Sequence, residues 1–233
     1  MARIDEIRDG STWGQIFEGQ PQHILIAFFL VVGATALLIG DAHPPRVLGQ
    51  TSVGWAVTSI WLAVLHQVIV AIVFRLQLHK GLMTRLFGHR DLAVWSAIFM
   101  PLLIARPLTV ILTGLADTRA PPGIEALNYI VGALLLALAV WGMHSTLKYF
   151  TLRRAVGGDH FREDIRALPK VKGGIFDYTD NGMYGVVFFG LWGIALLLGS
   201  WNALIVALFQ HAYIWVHMYM TEAPDMRRLY SDA

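Results

Sequence analysis

The stretch "MYGVVFFGLWGIALLLGSWNALIVALFQHAYIWVHMYM", residues 183–220, decides the fold, because its apolar run is too long for one crossing of a lipid bilayer. One crossing needs about 20 helical residues, and this run is about twice that length. Gly, Ser and Asn within residues 199–202 interrupt it near its middle, where they favour a turn. We therefore predict two antiparallel membrane helices, at about 183–199 and 202–221, that form a hairpin.

Upstream, further apolar runs are long enough to cross a bilayer. They lie at approximately 22–40, 52–74, 92–116 and 124–147. The composition agrees, since 15% of the residues are charged, whereas soluble proteins average about 25%. The sequence predicts an all-α, polytopic integral membrane helix bundle of about six transmembrane helices with a C-terminal helical hairpin. We divide it into an N-terminal four-helix membrane region (1–147), a basic loop (148–182), and the hairpin with its tail (183–233).

Charge and cysteine content exclude several classes of function. The net charge of +2 gives no indication of a nucleic-acid partner. The absence of cysteine excludes disulfides, iron–sulfur clusters and thiolate zinc sites, and we predict no metal site. Residues 1–21 mix acidic and basic side chains, which is not typical of a signal peptide.

Lysine and arginine are concentrated in two of the connecting segments, 75–91 and 148–182. The loops on the other side contain only Arg46 and Arg119. Because basic loops stay in the cytoplasm, we predict that both segments and both termini are cytoplasmic. The compact layout without cysteine favours a bacterial inner membrane. Within the second segment, Phe161, Ile165 and Leu168 share one helical face, which indicates either a short interfacial helix or a solvated connector.

A polar cluster, "FDYTDNGMYG" (176–185), precedes the hairpin, and the sixth helix returns to the same side. The hairpin should therefore bring Asp180, Asn181, Tyr184 and Glu222 within the width of one pocket. A carboxylate, an amide and a phenol at the membrane surface suit a water-soluble, cationic cofactor that meets a lipid-soluble substrate. The alternative is that Asp180 and Asn181 cap a helix, while Tyr184 and Glu222 are ordinary interfacial residues.

Residues 176–230 resemble the C-terminal core of the membrane phospholipid N-methyltransferases, within the superfamily of isoprenylcysteine carboxyl methyltransferases. The family has an Asp-Asn-Pro-Met-Tyr pattern before a helical hairpin and a Glu-x-Pro pattern followed by Leu-Tyr. The matching residues are Asp180, Asn181, Met183, Tyr184, Glu222, Pro224, Leu229 and Tyr230. Gly182 stands where the family has proline, and Ala223 stands where some members have a second glutamate.

This resemblance implies a methyltransferase that uses S-adenosylmethionine and acts on a lipid amine such as phosphatidylethanolamine. Alternative acceptors are a prenylated carboxylate, a small thiol or another amphiphile. The implied cofactor-binding residues are Tyr178, Asp180, Asn181, Met183, Tyr184, Gly185 and Glu222. The implied catalytic residues are Glu222, Tyr184 and His217, with an acid or histidine as the base that deprotonates the amine.

Polar residues deep within the predicted helices are candidates for substrate binding, since ionisable groups at this depth are costly. They are His66, Arg106 and His211, and Arg106-Pro107 should interrupt the third helix. The alternative is internal pairing. Helical spacing places His211, Trp215, Met218 and Glu222 on one stripe and His217 on another face. Two other classes remain open, namely a haem protein with His66 and His211 as axial ligands and a non-catalytic scaffold.

Overall fold

The computed structural model describes residues 3–230, and within that range it contains helices and no β-strand. The α-helices, α1 to α12 in chain order, are Arg3–Gly10, Trp13–Ile16, Gln20–Ala36, Ser52–Lys80, Leu82–Phe87, Asp91–Leu115, Glu125–Ser145, Leu152–Ala155, Glu163–Arg166, Phe189–Leu197, Trp201–His217 and Ala223–Tyr230. Three 3-10 turns are Gly88–Arg90, Gly158–His160 and Gly174–Asp177. Three π-helical turns are Thr146–Phe150, Met183–Val187 and Met218–Glu222.

Consecutive helices combine into membrane spans. Five stretches of the described chain are long and apolar enough to cross a bilayer, and a sixth, shorter apolar helix precedes the last of them. In chain order, the first to sixth spans are Trp13–Ala36, Ser52–Lys80, Leu82–Leu115, Glu125–Phe150, the shorter Met183–Leu197, and Trp201–Tyr230. The prediction of an all-α polytopic membrane bundle is confirmed. The two last spans form a hairpin, and the Ser200 side chain at its turn accepts a hydrogen bond from Ala203 N (3.0 Å).

Two predicted details of the second and third spans were wrong. Helix α4 continues to Lys80 rather than ending near residue 74, so Arg75 is a buried helical residue and not a loop cation. Helix α6 runs unbroken through Arg106 and Pro107. A proline removes one backbone donor, and within a bundle the neighbouring helices and hydroxyl side chains can compensate. Close to Pro107, the Thr109 hydroxyl donates to the Arg106 carbonyl (2.9 Å).

Glycines allow the short fifth span to pack closely against the fourth. A Cβ atom on Gly193 would lie 2.8 Å from both the Gly132 carbonyl oxygen and the Leu136 nitrogen. One on Gly190 would lie 3.1 Å from the Ala139 methyl group. Membrane helices associate through such small residues because lipid provides no hydrophobic drive between helices. This contact fixes the position of the fifth span, and Tyr184 lies in the first turn of that span.

The basic segment 148–182 packs against the end of the bundle that also carries α1, and we call this the basic end. Phe161 and Ile165 are buried with Phe74 and Trp95 of the second and third spans. Leu168, which we predicted on the same helical face, is exposed, and the local helix α9 contains only four residues. The segment is therefore partly core and not a fully solvated connector, and the predicted short helix is limited to the four residues of α9.

Candidate functional site

Two π-helical turns at the basic end bring Tyr184 and Glu222 together. The Tyr184 hydroxyl donates a hydrogen bond to Glu222 Oε2, and His217 Nε2 lies 3.4 Å from Glu222 Oε1. His217 and Glu222 are five residues apart, which in an α-helix would separate their directions by about 140°. The π turn Met218–Glu222 has i→i+5 geometry, so it aligns the two residues. The predicted stripe from His211 to Glu222, with His217 on another face, was therefore wrong.

The carbonyl groups of this π turn receive donors from outside the sixth span. Arg75 Nη2 donates to the carbonyls of Met220 (3.1 Å) and Thr221 (3.0 Å), and Gln20 Nε2 donates to that of Met220 (3.3 Å). Gly19 packs on the same turn with φ +77°, and a Cβ atom there would lie 2.4 Å from the Met220 oxygen. The first and second spans thus determine the backbone shape that positions Glu222.

Arg75 also belongs to a buried ionic network, which we call the Arg75 clasp and define as Arg75, Asp225, His160, Asp159 and Tyr230. Arg75 Nη1 lies 2.9 Å from Asp225 Oδ1. His160 donates from Nε2 to Asp225 (3.3 Å) and from Nδ1 to Asp159 (3.0 Å), and the Tyr230 hydroxyl donates to Asp159 (3.2 Å). Burial alone would lower the pKa of His160, but its two carboxylate partners raise that pKa to about 10. The imidazolium form is therefore retained at neutral pH.

A groove of about 910 Å³ opens at the basic end beside the clasp. Its lining combines acids, cations and aromatic rings, namely Arg3, Glu6, Phe150, Arg154, Asp159, Glu163, Arg166, Ala167, Leu168, Pro169, Lys170, Met226, Leu229 and Tyr230. Asp159 and Tyr230 belong to both the groove and the clasp.

The predicted cofactor residues have different surroundings. The Tyr178 side chain is largely solvent-exposed and lies edge-on to Trp141. The exposed Asp180 forms an ion pair with Lys170 of the groove (2.9 Å). The Asn181 carbonyl accepts from Gly185 N (2.9 Å). Met183 and Gly185 flank Tyr184 within its π turn. The contacts thus join Tyr184, Glu222 and His217, and they link Asp180 to the rim of the groove.

Deeper in the bundle, Arg106 is 2% exposed. Its Nε donates to Gln210 Oε1 (2.8 Å), and its guanidinium lies 5.1 Å from the centre of the Phe188 ring. His66 is also buried and packs edge-on to Phe99, with 4.9 Å between the ring centres. Arg106 Nη2 and both ring nitrogens of His66 have no hydrogen-bond partner. We call Arg106, His66 and Gln210 the Arg106 cluster.

His211, predicted to bind substrate, is half-buried in different surroundings. Its Nδ1 accepts a hydrogen bond from Trp192 (3.0 Å), and its ring packs against Phe188 and Phe189. Residues 3–230 contain no group of three or more histidines or acids that could hold a metal ion. The haem alternative, with His66 and His211 as ligands, therefore has no support.

Our sequence reasoning missed the clasp residues Arg75, Asp225 and His160. One signal was available for Arg75, since a cation followed directly on an apolar run and preceded a sequence that continues helical spacing. Asp225 and His160 gave no comparable signal, because their partners lie 150 and 65 residues away in the chain.

Comparisons with known proteins match the part of the chain that contains Tyr184, His217 and Glu222. The family model "Phospholipid methyltransferase" matches residues 127–233, which include Tyr184, His217 and Glu222. The chain is 30% identical over 154 residues to a phosphatidylethanolamine N-methyltransferase of Malassezia globosa, which covers 65% of this chain and 15% of the relative. It is 34% identical over 113 residues to the protein of that name from Laccaria bicolor, covering 48% of this chain and 12% of the relative.

The match to the phosphatidylethanolamine N-methyltransferase of Clavispora lusitaniae is 27% identical over 113 residues, covering 47% of this chain and 13% of the relative. The chain thus spans less than a sixth of the length of these curated relatives. No solved structure matches. The C-terminal part of the chain, residues 127–233, is thus similar to the phospholipid methyltransferase family.

Proposed function

We propose that this chain is a membrane methyltransferase that transfers a methyl group from S-adenosylmethionine to a lipid amine such as that of phosphatidylethanolamine. The observation that carries the proposal is the Tyr184–Glu222–His217 arrangement, which is formed by two π turns within the family segment. π turns occur frequently at functional sites. The names of the relatives support the lipid amine as acceptor. A prenylated carboxylate is already deprotonated at neutral pH and would give Glu222 no proton to accept.

The residues of the groove fit the proposed cofactor. S-adenosylmethionine carries an ammonium, a carboxylate, a ribose and an adenine, and it supplies an electrophilic methyl carbon when bound. Acids and cations face each other across the groove, and the Phe150 and Tyr230 rings also line it. A volume of about 910 Å³ falls within the range of about 300–1,000 Å³ that is usual for ligand sites. We propose that the groove holds the cofactor, with Asp180 at its rim and Met183, Tyr184 and Gly185 at its inner end.

The chain's own groups suit the acceptor side of the reaction. An ammonium must lose a proton before its nitrogen can attack, and Glu222 is the proposed proton acceptor. Tyr184 orients the carboxylate through its hydrogen bond, and His217 lies against the other carboxylate oxygen. Methyl transfer is an in-line displacement that needs alignment above all, so a carboxylate fixed from both sides is suited to this role.

We propose that the basic end faces the cytoplasm, as the distribution of lysine and arginine predicts. A water-soluble cofactor would then enter the groove directly. We keep the three-part division of the chain as part of this proposal, with the basic loop as one wall of the groove. The bacterial inner membrane stays a prediction from the sequence, since the relatives named above are eukaryotic.

The test is binding of S-adenosylhomocysteine to the purified full chain in detergent, measured by calorimetry, beside methyl transfer to phosphatidylethanolamine. We expect saturable binding in the parent chain, weakened in Glu222→Ala and in Asp159→Asn. Glu125→Gln is the matched control, because Glu125 is an acid at the opposite end of the fourth span. Absence of binding in folded protein would overturn the proposed cofactor, and unchanged binding in both site variants would overturn the proposed position.

A further inference from the structure

Arg106 is a buried cation without a buried anion. Within residues 3–230, its recorded contacts are the neutral amide of Gln210 and the Phe188 ring. An uncompensated charge inside a membrane bundle is strongly unfavourable. Arginine has five donor hydrogens and no acceptor, so only an acceptor or an anion can complete its coordination.

The atoms without partners belong to two buried side chains on neighbouring, packed spans. Arg106 Nη2 lacks a hydrogen-bond partner, as do both ring nitrogens of the buried His66. His66 packs on Phe99, which lies two helical turns from Arg106 on the same side of the third span. Buried polar groups in folded proteins are nearly always satisfied, so a cluster of orphaned nitrogens around one cation indicates a ligand.

We propose that Arg106 and His66 bind the phosphate of an acyl-chain lipid, as a phosphomonoester or phosphodiester anion. A lipid is favoured over free phosphate because Arg106 lies in a membrane-spanning helix, where its neighbours Ile104 and Leu108 are about half exposed on the apolar surface of the bundle. Arginine matches phosphate geometry well, since its fork of donors can bind two oxygens at once.

The inference deepens the proposed function and rests on it for the identity of the amine. Two buried residues of α11 connect the two sites, because Gln210 accepts from Arg106 and His217 Nε2 lies 3.4 Å from Glu222. They are seven residues apart, so they share one helical face at a separation of about 10 Å along the axis. A phosphate at Arg106 would therefore leave an attached amine on the side of Glu222. The acceptor site would select a zwitterionic lipid, because Arg106 would bind its phosphate and Glu222 would bind its amine.

The experiment measures thermal unfolding of the full chain in an uncharged detergent, without methyl donor. The probes are short-chain phosphatidic acid, the diacylglycerol with the same acyl chains, and inorganic phosphate. We expect phosphatidic acid to raise the unfolding midpoint and the other two to leave it unchanged. In Arg106→Gln the apparent affinity should fall at least about 30-fold, as for removal of one partner of a buried charge pair.

Two further variants make the result specific. Gln210→Glu introduces a carboxylate where the amide now accepts from Arg106 Nε, so it should raise the midpoint of the free protein and abolish the response to phosphatidic acid. Arg119→Gln is the matched control, because Arg119 pairs with Asp41 at the other end of the bundle (3.5 Å), and it should keep the full response.

A parent chain that does not respond to phosphatidic acid, or an Arg106→Gln variant that responds like the parent, would overturn the inference. A response to inorganic phosphate equal to that for phosphatidic acid would replace the lipid by free phosphate. Because no methyl donor is present, the outcome is separate from that of the proposed function. If the chain responds to phosphatidic acid but transfers no methyl group, the anion site stands and the proposed methyl transfer is wrong.

Discussion

Arg75 and Arg106 lie on neighbouring spans and are both 2% exposed, yet their surroundings differ completely. Arg75 reaches a carboxylate at 2.9 Å and four backbone carbonyls, those of Gln15, Glu18, Met220 and Thr221. Arg106 has one neutral amide, one ring face and an orphaned nitrogen. This difference is why we assign the first arginine to the fold and propose a binding role for the second.

The largest expected effect is on stability, and it tests whether the two arginines differ as described. Arg75→Met should lower the free energy of unfolding by about 3–5 kcal/mol, since it leaves Asp225 as an uncompensated buried charge. Arg106→Met should change it by less than about 1 kcal/mol or raise it, because no carboxylate is left behind. Denaturant unfolding in detergent measures both variants. Equal losses of unfolding free energy would show that both arginines contribute to the stability of the fold in the same way.

A double variant of the clasp separates the effect of the buried charge on stability from the effect of lost packing. Adding Asp225→Asn to Arg75→Met removes the stranded carboxylate, so the double variant should recover part of the lost stability. A double variant as unstable as the sum of its parts would place the effect in packing instead.

Next in size is the effect of Glu222→Gln on methyl transfer to phosphatidylethanolamine. We expect a fall of at least about 100-fold, because an amide cannot accept the amine proton. The free energy of unfolding should change little, since the amide oxygen still accepts from Tyr184. Incorporation of a labelled methyl group into lipid measures the rate, with Glu125→Gln as the control. Activity within twofold of the parent would exclude Glu222 as the base.

The clasp also predicts that the stability of the chain depends on pH. The pKa of His160 is about 10 in the folded chain, against an ordinary value of 6.5. The folded state therefore holds this proton more tightly, so the stabilisation is complete below about pH 6.5 and declines as the pH rises to about 10. Burial alone would raise the pKa of Asp159, but its hydrogen bond to His160 lowers it. The stabilisation from Asp159 is therefore lost as the pH falls into the acid range.

Unfolding midpoints between pH 6 and 10 test this slope. In His160→Gln the part of the slope that comes from the imidazolium should disappear, whereas His144→Gln, which changes a histidine on the exposed surface of the fourth span, should keep it. A parent chain with a flat profile would show that the imidazolium does not contribute to folding.

The smallest expected effect concerns the edge of the clasp. Tyr230→Phe removes one hydrogen bond to Asp159 and should lower the free energy of unfolding by about 1 kcal/mol. A loss of unfolding free energy as large as that of Arg75→Met would mean that the Tyr230–Asp159 hydrogen bond contributes as much to stability as the Arg75–Asp225 ion pair.

The sequence was sufficient to predict the hairpin and, through it, the meeting of Tyr184 and Glu222, because a tight turn dictates which ends are adjacent. It predicted the wrong face for His217, since helical spacing assumes 3.6 residues per turn and a π turn depends on tertiary contacts. Arg75 was counted among the loop cations, because its acceptors are backbone carbonyls and a carboxylate that no local pattern identifies. Long-range pairing of single residues is what a single sequence does not reveal.

The donors that reach the Met218–Glu222 turn have a consequence for the autonomy of the family segment. Arg75, Gln20 and Gly19 lie outside residues 127–233, yet they hold the backbone that positions Glu222. A fragment of residues 127–233 would lack them, and we expect its last helix to relax to regular α-helical winding. Glu222 would then point about 140° away from His217, the angle that five residues make in an α-helix. We therefore expect that residues 127–233 alone do not form this arrangement, since its geometry depends on the preceding part of the chain.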